Sequence, residues 1–134
     1  MHFHYALITD DGEAGYTIFG WDQLDFFNVG AQQTQEKYPW YTKKHIIIHV
    51  ALHELGHDLG LFGDTFGGID NRESTKFTSW QTWKYLTYRS CMNYHYTYRI
   101  LGYSDGTHGP GDFDDWAHLN LSLFKNTSFP VLSS

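Results

Sequence analysis

The chain lacks the features that mark several large protein classes. It has one cysteine, Cys91, which excludes an internal disulfide. Lys and Arg number 9 against 15 Asp and Glu, so the formal net charge is -6 and no nucleic-acid-binding surface is expected. The most apolar segment is too short and too rich in histidine to span a membrane. His-Phe-His-Tyr at positions 2–5 has neither the basic leader nor the apolar core of a signal peptide. We expect one domain over residues 1–134 without a membrane span, and localisation stays open.

The most informative segment present is His53-Glu54-Leu55-Gly56-His57. Two histidines four residues apart lie on one face of a helix, so both imidazoles can reach one metal ion. Glu54 lies at the flank of that face, where it can accept the proton of a water molecule at the metal. The pattern H-E-x-x-H on a helix is typical of zinc peptidases, and it predicts Zn2+ as the cofactor. His53 and His57 are the predicted metal ligands, and Glu54 is the predicted general base.

The residues around this motif predict a buried helix. The segment His45–Phe62 has no proline, is apolar nearly all round, and meets its first glycine only at position 56. Thr42 is the candidate N-cap, and Gly60 and Gly63 are candidate helix breakers. Such a helix suits the floor of a zinc-binding cleft.

The remaining segments complete an α+β prediction, with a small mixed sheet packed on the long helix. We expect a strand at His2–Ile8, a turn at Thr9–Gly15, extended segments at Tyr16–Gly20 and Leu24–Val29, a polar connection at Ala31–Tyr41, loops at Gly63–Trp80 and Gly102–Gly111, an irregular aromatic region at Trp83–Tyr98, and a C-terminal helix from Asp112 to about Lys125.

Two motifs together resemble the metzincin zinc peptidases. The residues from His53 to Asp64 resemble the long form H-E-x-x-H-x-x-G-x-x-H, and Ser90-Cys91-Met92-Asn93-Tyr94 resembles the family's Met-turn. The resemblance implies that Met92 packs beneath the metal. It also implies that Tyr94 lies near the zinc, as in the astacin and serralysin branches, where it could donate a hydrogen bond to the oxyanion. The first strands of a full metzincin have no counterpart, so the chain resembles a minimal or N-terminally truncated member, of a family that points to secretion.

The third metal ligand departs from the family pattern. Gly63 occupies the position of the third histidine, and the adjacent Asp64 is the predicted ligand, with a loop or cap role as the alternative. Snapalysins use an aspartate ligand, but in the histidine's own position. Asp70 and His118 are more distant alternatives. His49 cannot share an ion with His57, because residues eight apart lie about 12 Å apart along a helix.

Three function classes remain open. The leading prediction is a zinc endopeptidase that acts on peptide or protein substrates, with Glu54 and Tyr94 as catalytic residues. The alternatives are a catalytically silent zinc-binding domain that has lost its third histidine, and a structural or interaction module without a metal. Calcium binding by Asp105, Asp112 and Asp114 stays open, as does the oligomeric state.

Overall fold

A computed structural model describes residues 3–9, 15–21 and 24–120, with side chains from residue 31 onward. Most of the turn predicted at Thr9–Gly15 lies outside the described residues, as does the end of the predicted C-terminal helix. The elements in chain order are β1 (Phe3–Thr9), β2 (Gly15–Trp21), β3 (Leu24–Gly30), α1 (Ala31–Lys37), α2 (Lys43–Asp58), a 3-10 turn (Arg72–Thr75), α3 (Trp80–Lys84) and a second 3-10 turn (Trp116–His118).

The backbone of the three strands pairs in the order β1-β3-β2. β1 runs parallel to β3, from Phe3 opposite Leu24 to Thr9 opposite Gly30. β2 runs antiparallel to β3, with a shift of register between Ile18 and Trp21. α2 packs against β2 and β3, so the strands lie beside the helix that carries the histidines.

The predicted fold class, an α+β domain organised by a small mixed sheet, is wrong for the body of the molecule. From residue 31 to residue 120, every regular element is a helix or a 3-10 turn, and no strand occurs among these described residues. An isolated bridge between Asp105 and Asp114 is the nearest approach to one. The turns in this part are held together by side-chain hydrogen bonds and a buried core, so they need no sheet to organise them.

The polar connection predicted at Ala31–Tyr41 is also wrong, because Ala31–Lys37 forms helix α1. Its sequence, AQQTQEK, consists largely of good helix formers, and Pro39 comes only after the helix has ended. Ala31 and Thr34 supply its buried face. Helix propensity and burial of this short stripe therefore outweigh the polar character that suggested a connection.

Helix α2 begins where the sequence predicts and ends earlier. The Thr42 hydroxyl accepts a hydrogen bond from the His45 backbone N–H at 3.2 Å, which confirms the N-cap. At the other end, Gly60 adopts φ +91°. The Gly60 N–H donates to the His57 carbonyl and the Leu61 N–H donates to the Gly56 carbonyl, which is the Schellman arrangement. The helix therefore stops at Asp58, one turn past Glu54, and frees the following chain to return toward the histidines. No helix among the described residues is long and apolar enough to cross a membrane.

The C-terminal helix predicted from Asp112 is wrong within the described residues, which contain only the 3-10 turn Trp116–His118 there. The acidic side chains at the start of that segment accept hydrogen bonds from other parts of the chain. Asp112 accepts hydrogen bonds from the Ser104 hydroxyl at 2.7 Å and the His108 backbone N–H at 2.9 Å. Asp115 accepts from the Tyr88 hydroxyl at 2.6 Å. Short polar side chains that bond to neighbouring loops compete with helix formation.

Among the residues with described side chains, the buried core forms two clusters. One includes Cys91 and Met92 of the Met-turn motif together with Leu61, Ile69, Tyr85 and Tyr88. The other joins α1 to the middle of α2 through Ala31, Ile46 and Val50. Ile48 lies 42% exposed, so α2 is not buried all round as its apolar sequence suggested.

Gly60→Ala should lower the free energy of unfolding by roughly 1–2 kcal/mol or more, because a left-handed backbone costs that much in an L-residue. A methyl group at Gly60 would also lie 2.7 Å from the Asn120 Cβ. Gly102→Ala is the matched control, since its added Cβ meets no atom within 4 Å and its φ is not positive. Urea midpoints of both variants check this, and equal midpoints would contradict the assignment.

Candidate metal centre

His53, His57 and Asp70 converge on one point. The Nε2 atom of His53 lies 3.0 Å from Oδ1 of Asp70, and the Nε2 atom of His57 lies 3.3 Å from Oδ2 of the same carboxylate. All three ligand atoms lie within 4.8 Å of one another. Helix α2 presents the two imidazoles on one face, as their spacing predicts, and a loop residue supplies the third group.

Hydrogen bonds on the far side of each ring fix which nitrogen faces Asp70. Nδ1 of His53 lies 2.9 Å from the Cys91 carbonyl oxygen, and Nδ1 of His57 lies 2.7 Å from that of Leu61. A carbonyl oxygen only accepts, so each Nδ1 carries the proton and donates it. In the neutral imidazoles both Nε2 atoms then present lone pairs toward the carboxylate. Zinc-binding histidines are oriented in this way.

The Nε2 lone pairs of both histidines point toward the Asp70 carboxylate, and lone pairs repel one another. A cation between the three groups removes this repulsion. Oδ1 of Asp70 is buried and accepts no hydrogen bond, despite its 3.0 Å distance from His53. Bonds of about 2.0–2.2 Å at tetrahedral angles place zinc ligand atoms roughly 3.3–3.6 Å apart. The observed separations, 3.0 Å from His53 to Oδ1 and 3.3 Å from His57 to Oδ2 of the same carboxylate, approach that spacing from below. The residues present therefore fit a zinc ion with two nitrogen ligands and one oxygen ligand.

The electrostatics of the cluster favour positive charge among these groups. Burial alone would raise the pKa of the Asp70 carboxyl, but the two imidazoles beside it outweigh this and hold the pKa well below its usual range. Burial alone would lower the pKa of His57, but the neighbouring Asp70 carboxylate raises it above its ordinary value. Protons or a metal ion can supply this positive charge, and the hydrogen bonds from Nδ1 orient the rings for either.

The backbone places Asp70 at the site. Its N–H donates to the Met92 carbonyl at 3.1 Å, and its φ of 54° is the only positive value of a non-glycine residue among the described positions. Asp is one of the residues that tolerates this left-handed conformation. The preceding Ile69 is buried in the core and anchors the loop, and the Asn71 side chain closes it by donating to the Gly67 carbonyl at 2.8 Å.

Asp64, the predicted third ligand, lies apart from the two histidines. It is exposed in a turn after α2 and does not belong to the cluster that contains His53 and His57. The turn is closed by the Thr65 N–H, which donates to the Phe62 carbonyl at 2.9 Å. The loop continues for six residues beyond Asp64 before it returns to the histidines. Asp70, which the sequence offered only as a distant alternative, lies beside both histidines instead.

Met92 packs beneath the helix turn that carries both histidines. It is fully buried, and a Cβ built on Gly56 would lie 2.3 Å from its sulfur and 2.9 Å from its terminal methyl carbon. Only a residue without a side chain lets the methionine approach so closely. The glycine within His53-Glu54-Leu55-Gly56-His57 therefore accommodates the methionine of the second motif, and the two motifs meet as the resemblance implies.

Buried polar groups hold the Met-turn in shape. The Met92 N–H donates to the Ser90 hydroxyl at 3.0 Å. The Asn93 amide donates to the carbonyls of Tyr85 and Tyr88 at 3.1 and 3.0 Å, while its side-chain oxygen accepts from the Ser74 hydroxyl at 3.0 Å. Asn93 thus ties this turn to the loop that carries Asp70.

Glu54 and Tyr94 face the same cleft, which has a volume of about 640 Å³. Glu54 is buried at the cleft floor next to His53. The Tyr94 ring stacks on the His53 ring, with centroids 5.4 Å apart and planes at 23°. Burial, helped by the negative charges of Asp70 and Glu54, raises the pKa of the Tyr94 hydroxyl, so this group keeps its proton and can donate a hydrogen bond.

The other sequence candidates lie elsewhere. His49 is buried, and its Nδ1 lies 2.7 Å from the Thr97 carbonyl oxygen, so it is a hydrogen-bonded residue of the core. His118 is exposed and its Nδ1 lies 2.7 Å from the Asp114 carbonyl oxygen.

A second group of possible ligands, Asp105, His108 and Asp112, lies in the C-terminal loops. It overlaps the calcium candidates Asp105, Asp112 and Asp114. Both Asp112 oxygens accept hydrogen bonds within the loop, and so does Oδ1 of Asp105, which explains the cluster without an ion.

Asp70→Ala should weaken zinc binding by at least about 100-fold, since even partners that only orient a ligand contribute 10–100-fold. Asp64→Ala is the matched control and should bind zinc like the parent chain. Competition titration against a chromophoric chelator measures both affinities. Equal affinities for Asp70→Ala and the parent would remove Asp70 from the site.

Gly56→Ala should destabilise the protein although alanine favours helices. The gain in helix propensity is about 1 kcal/mol, whereas overpacking a buried contact costs roughly 1–3 kcal/mol. Met92→Ala removes the clashing atoms, so the double variant should be more stable than the two single losses add up to. Additive losses in thermal unfolding would show that Gly56 and Met92 do not meet.

Comparison of the chain with protein-family models, with curated proteins and with solved structures finds no match. The metzincin resemblance therefore depends on the two motifs alone, and the function has to be argued from the geometry of His53, His57, Asp70, Glu54 and Tyr94.

Proposed function

We propose that this chain is a zinc-dependent endopeptidase of metzincin type, with His53, His57 and Asp70 as metal ligands. The observation that carries the proposal is the meeting of two Nε2 lone pairs with the one carboxylate of Asp70, whose Oδ1 accepts no hydrogen bond. Glu54 lines an open cleft together with His53 and Tyr94, and a purely structural zinc site has no need of a general base.

Zinc bound by these residues would supply Lewis acidity, which lowers the pKa of water and polarises a carbonyl group. Glu54 removes a proton from the attacking water as the new C–O bond forms at the scissile carbonyl carbon. The same carboxyl group then delivers the proton to the amide nitrogen as the C–N bond breaks. Atoms balance to one acid and one amine, and Glu54 ends in its starting state.

Tyr94 is the proposed donor to the negative charge that develops on the carbonyl oxygen. Its ring is held against the His53 ring, and its raised pKa keeps the phenol protonated. A donor positioned before the reaction stabilises the developing oxyanion more than a mobile water molecule does. Tyr94→Phe should therefore reduce kcat more than it changes KM.

An aspartate ligand has a chemical consequence. Its negative charge lowers the net charge of the metal site compared with three histidines, and it makes zinc a weaker Lewis acid. We therefore expect a modest turnover rate, and a different rate when another divalent metal replaces zinc.

Glu54→Gln should retain zinc and lose peptide hydrolysis by about 100-fold or more, because the base is removed while the ligands stay. Zinc content and cleavage of casein by the parent and the variant check this. Full activity in the variant would contradict the role of Glu54. A parent chain that binds zinc but cleaves neither casein nor a broad peptide library would instead be the silent zinc-binding domain, and a chain that binds no zinc would be a structural module.

A further inference from the structure

The cleft is positively charged although the chain is acidic. Among its lining residues, Lys37, Arg72 and Lys76 are cationic, and Glu54 and Glu73 are the two acids. The lining therefore has a formal charge of +1, from three cations less two acids, whereas the whole chain has -6. Basic residues are concentrated at the place where a substrate would lie.

Two of these cations differ from the third in having no acidic partner among the residues whose side chains the structure describes. Lys76 forms an ion pair with Glu73, which neutralises both. Lys37, at the end of α1, and Arg72, at the start of the 3-10 turn, form no ion pair within the described part of the chain, and both are exposed. They belong to different segments that line the same cleft. Arg72 is close enough to the site that its charge opposes the rise in pKa that burial causes at Tyr94.

An aromatic alcove of about 180 Å³ continues the cleft. The two spaces share four lining residues, namely Tyr38, Thr75, Tyr94 and Tyr98, so they form one groove. Trp40 and Phe77 line the alcove and are 69% and 70% exposed. Large aromatic side chains that remain in water gain free energy when an apolar group covers them.

We propose that the groove selects an extended peptide that carries an acidic side chain beside the scissile bond and a bulky apolar side chain in the same segment. The acidic side chain pairs with Arg72 and Lys37, and the apolar side chain enters the alcove between Trp40 and Phe77. This inference depends on the proposed peptidase function. A basic side chain in place of the acidic one would lie beside Lys37 and Arg72, and electrostatic repulsion excludes it.

Binding can be measured without turnover, in the zinc-loaded Glu54→Gln variant. The probes are fluorescein-labelled short peptides that share one sequence except for a central Asp-Phe, Asn-Phe, Lys-Phe or Asp-Ala pair. Fluorescence anisotropy should show that Asp-Phe binds about tenfold tighter than Asn-Phe and Asp-Ala, and tighter still than Lys-Phe. The advantage over Asn-Phe should shrink as salt is raised, because salt screens exposed charges.

Reversing the charge of single residues shows which of them cause the preference for the acidic peptide. Arg72→Glu and Lys37→Glu, each added to Glu54→Gln, should shift the preference toward Lys-Phe, whereas Arg89→Glu, at an exposed position outside the groove, should leave it unchanged. If Arg72→Glu loses its native circular dichroism, Arg72→Gln takes its place and should reduce the preference for Asp over Asn, with Lys37 supplying what remains. Equal binding of Asp-Phe and Asn-Phe, or an equal effect of Arg89→Glu, would overturn the proposal.

The two proposals fail in distinguishable ways. If the parent chain cleaves neutral and acidic peptides equally well, the peptidase stands and the acidic preference is wrong. If Asp-Phe binds selectively but the zinc-loaded parent cleaves nothing, the groove preference stands and the peptidase function is wrong.

Discussion

Two adjacent backbone carbonyls, those of Cys91 and Met92, hold the site together. The Cys91 carbonyl accepts from Nδ1 of His53 and from the Thr97 hydroxyl, and the Met92 carbonyl accepts from the Asp70 N–H. One short turn therefore orients a proposed ligand on α2 and a proposed ligand on a loop at the same time. The Met92 side chain fills the space beneath them against Gly56. Because this turn is buried and its polar groups are paired, the ligands can be arranged before a metal ion binds, and binding need not order them.

The early end of helix α2 serves the same site. Gly60 reverses the chain one turn after His57, and its left-handed conformation lets the Leu61 carbonyl return to accept from Nδ1 of His57. The following loop, closed through Asn71, then delivers Asp70 beside both imidazoles. Helix end, loop and Met-turn are thus parts of one hydrogen-bonded unit. Loss of any one should affect zinc affinity and stability together.

The parts of the site that could be predicted are those fixed by residues close together in sequence, either through the helical repeat or through a helix cap. The spacing of His53 and His57 follows from helix geometry, and Thr42 and Gly60 mark the ends of α2 through caps that depend on a few neighbouring residues. Asp70 could not be ranked above Asp64, because it lies thirteen positions after His57 and the path of the intervening loop is set by burial of Ile69 and by the Met92 carbonyl. A signal was present in retrospect, since Asp readily adopts the left-handed conformation and Gly67-Gly68-Ile69 precedes it. The C-terminal segment was predicted wrongly because side-chain hydrogen bonds of Asp112 and Asp115 favoured turns over a helix. The fold class was predicted wrongly because turns held by side-chain hydrogen bonds and a buried core, without a strand, organise residues 31–120.

The central claim is that His53, His57 and Asp70 bind one zinc ion. The most direct measurement is a crystal structure of the zinc-loaded chain with anomalous diffraction data on both sides of the zinc absorption edge. The account predicts one strong peak at about 2.0–2.2 Å from Nε2 of His53, Nε2 of His57 and a carboxylate oxygen of Asp70. A peak coordinated by Asp64 in place of Asp70, a peak only at Asp105, His108 and Asp112, or no peak with Asp70 hydrogen-bonded to protonated imidazoles would contradict it.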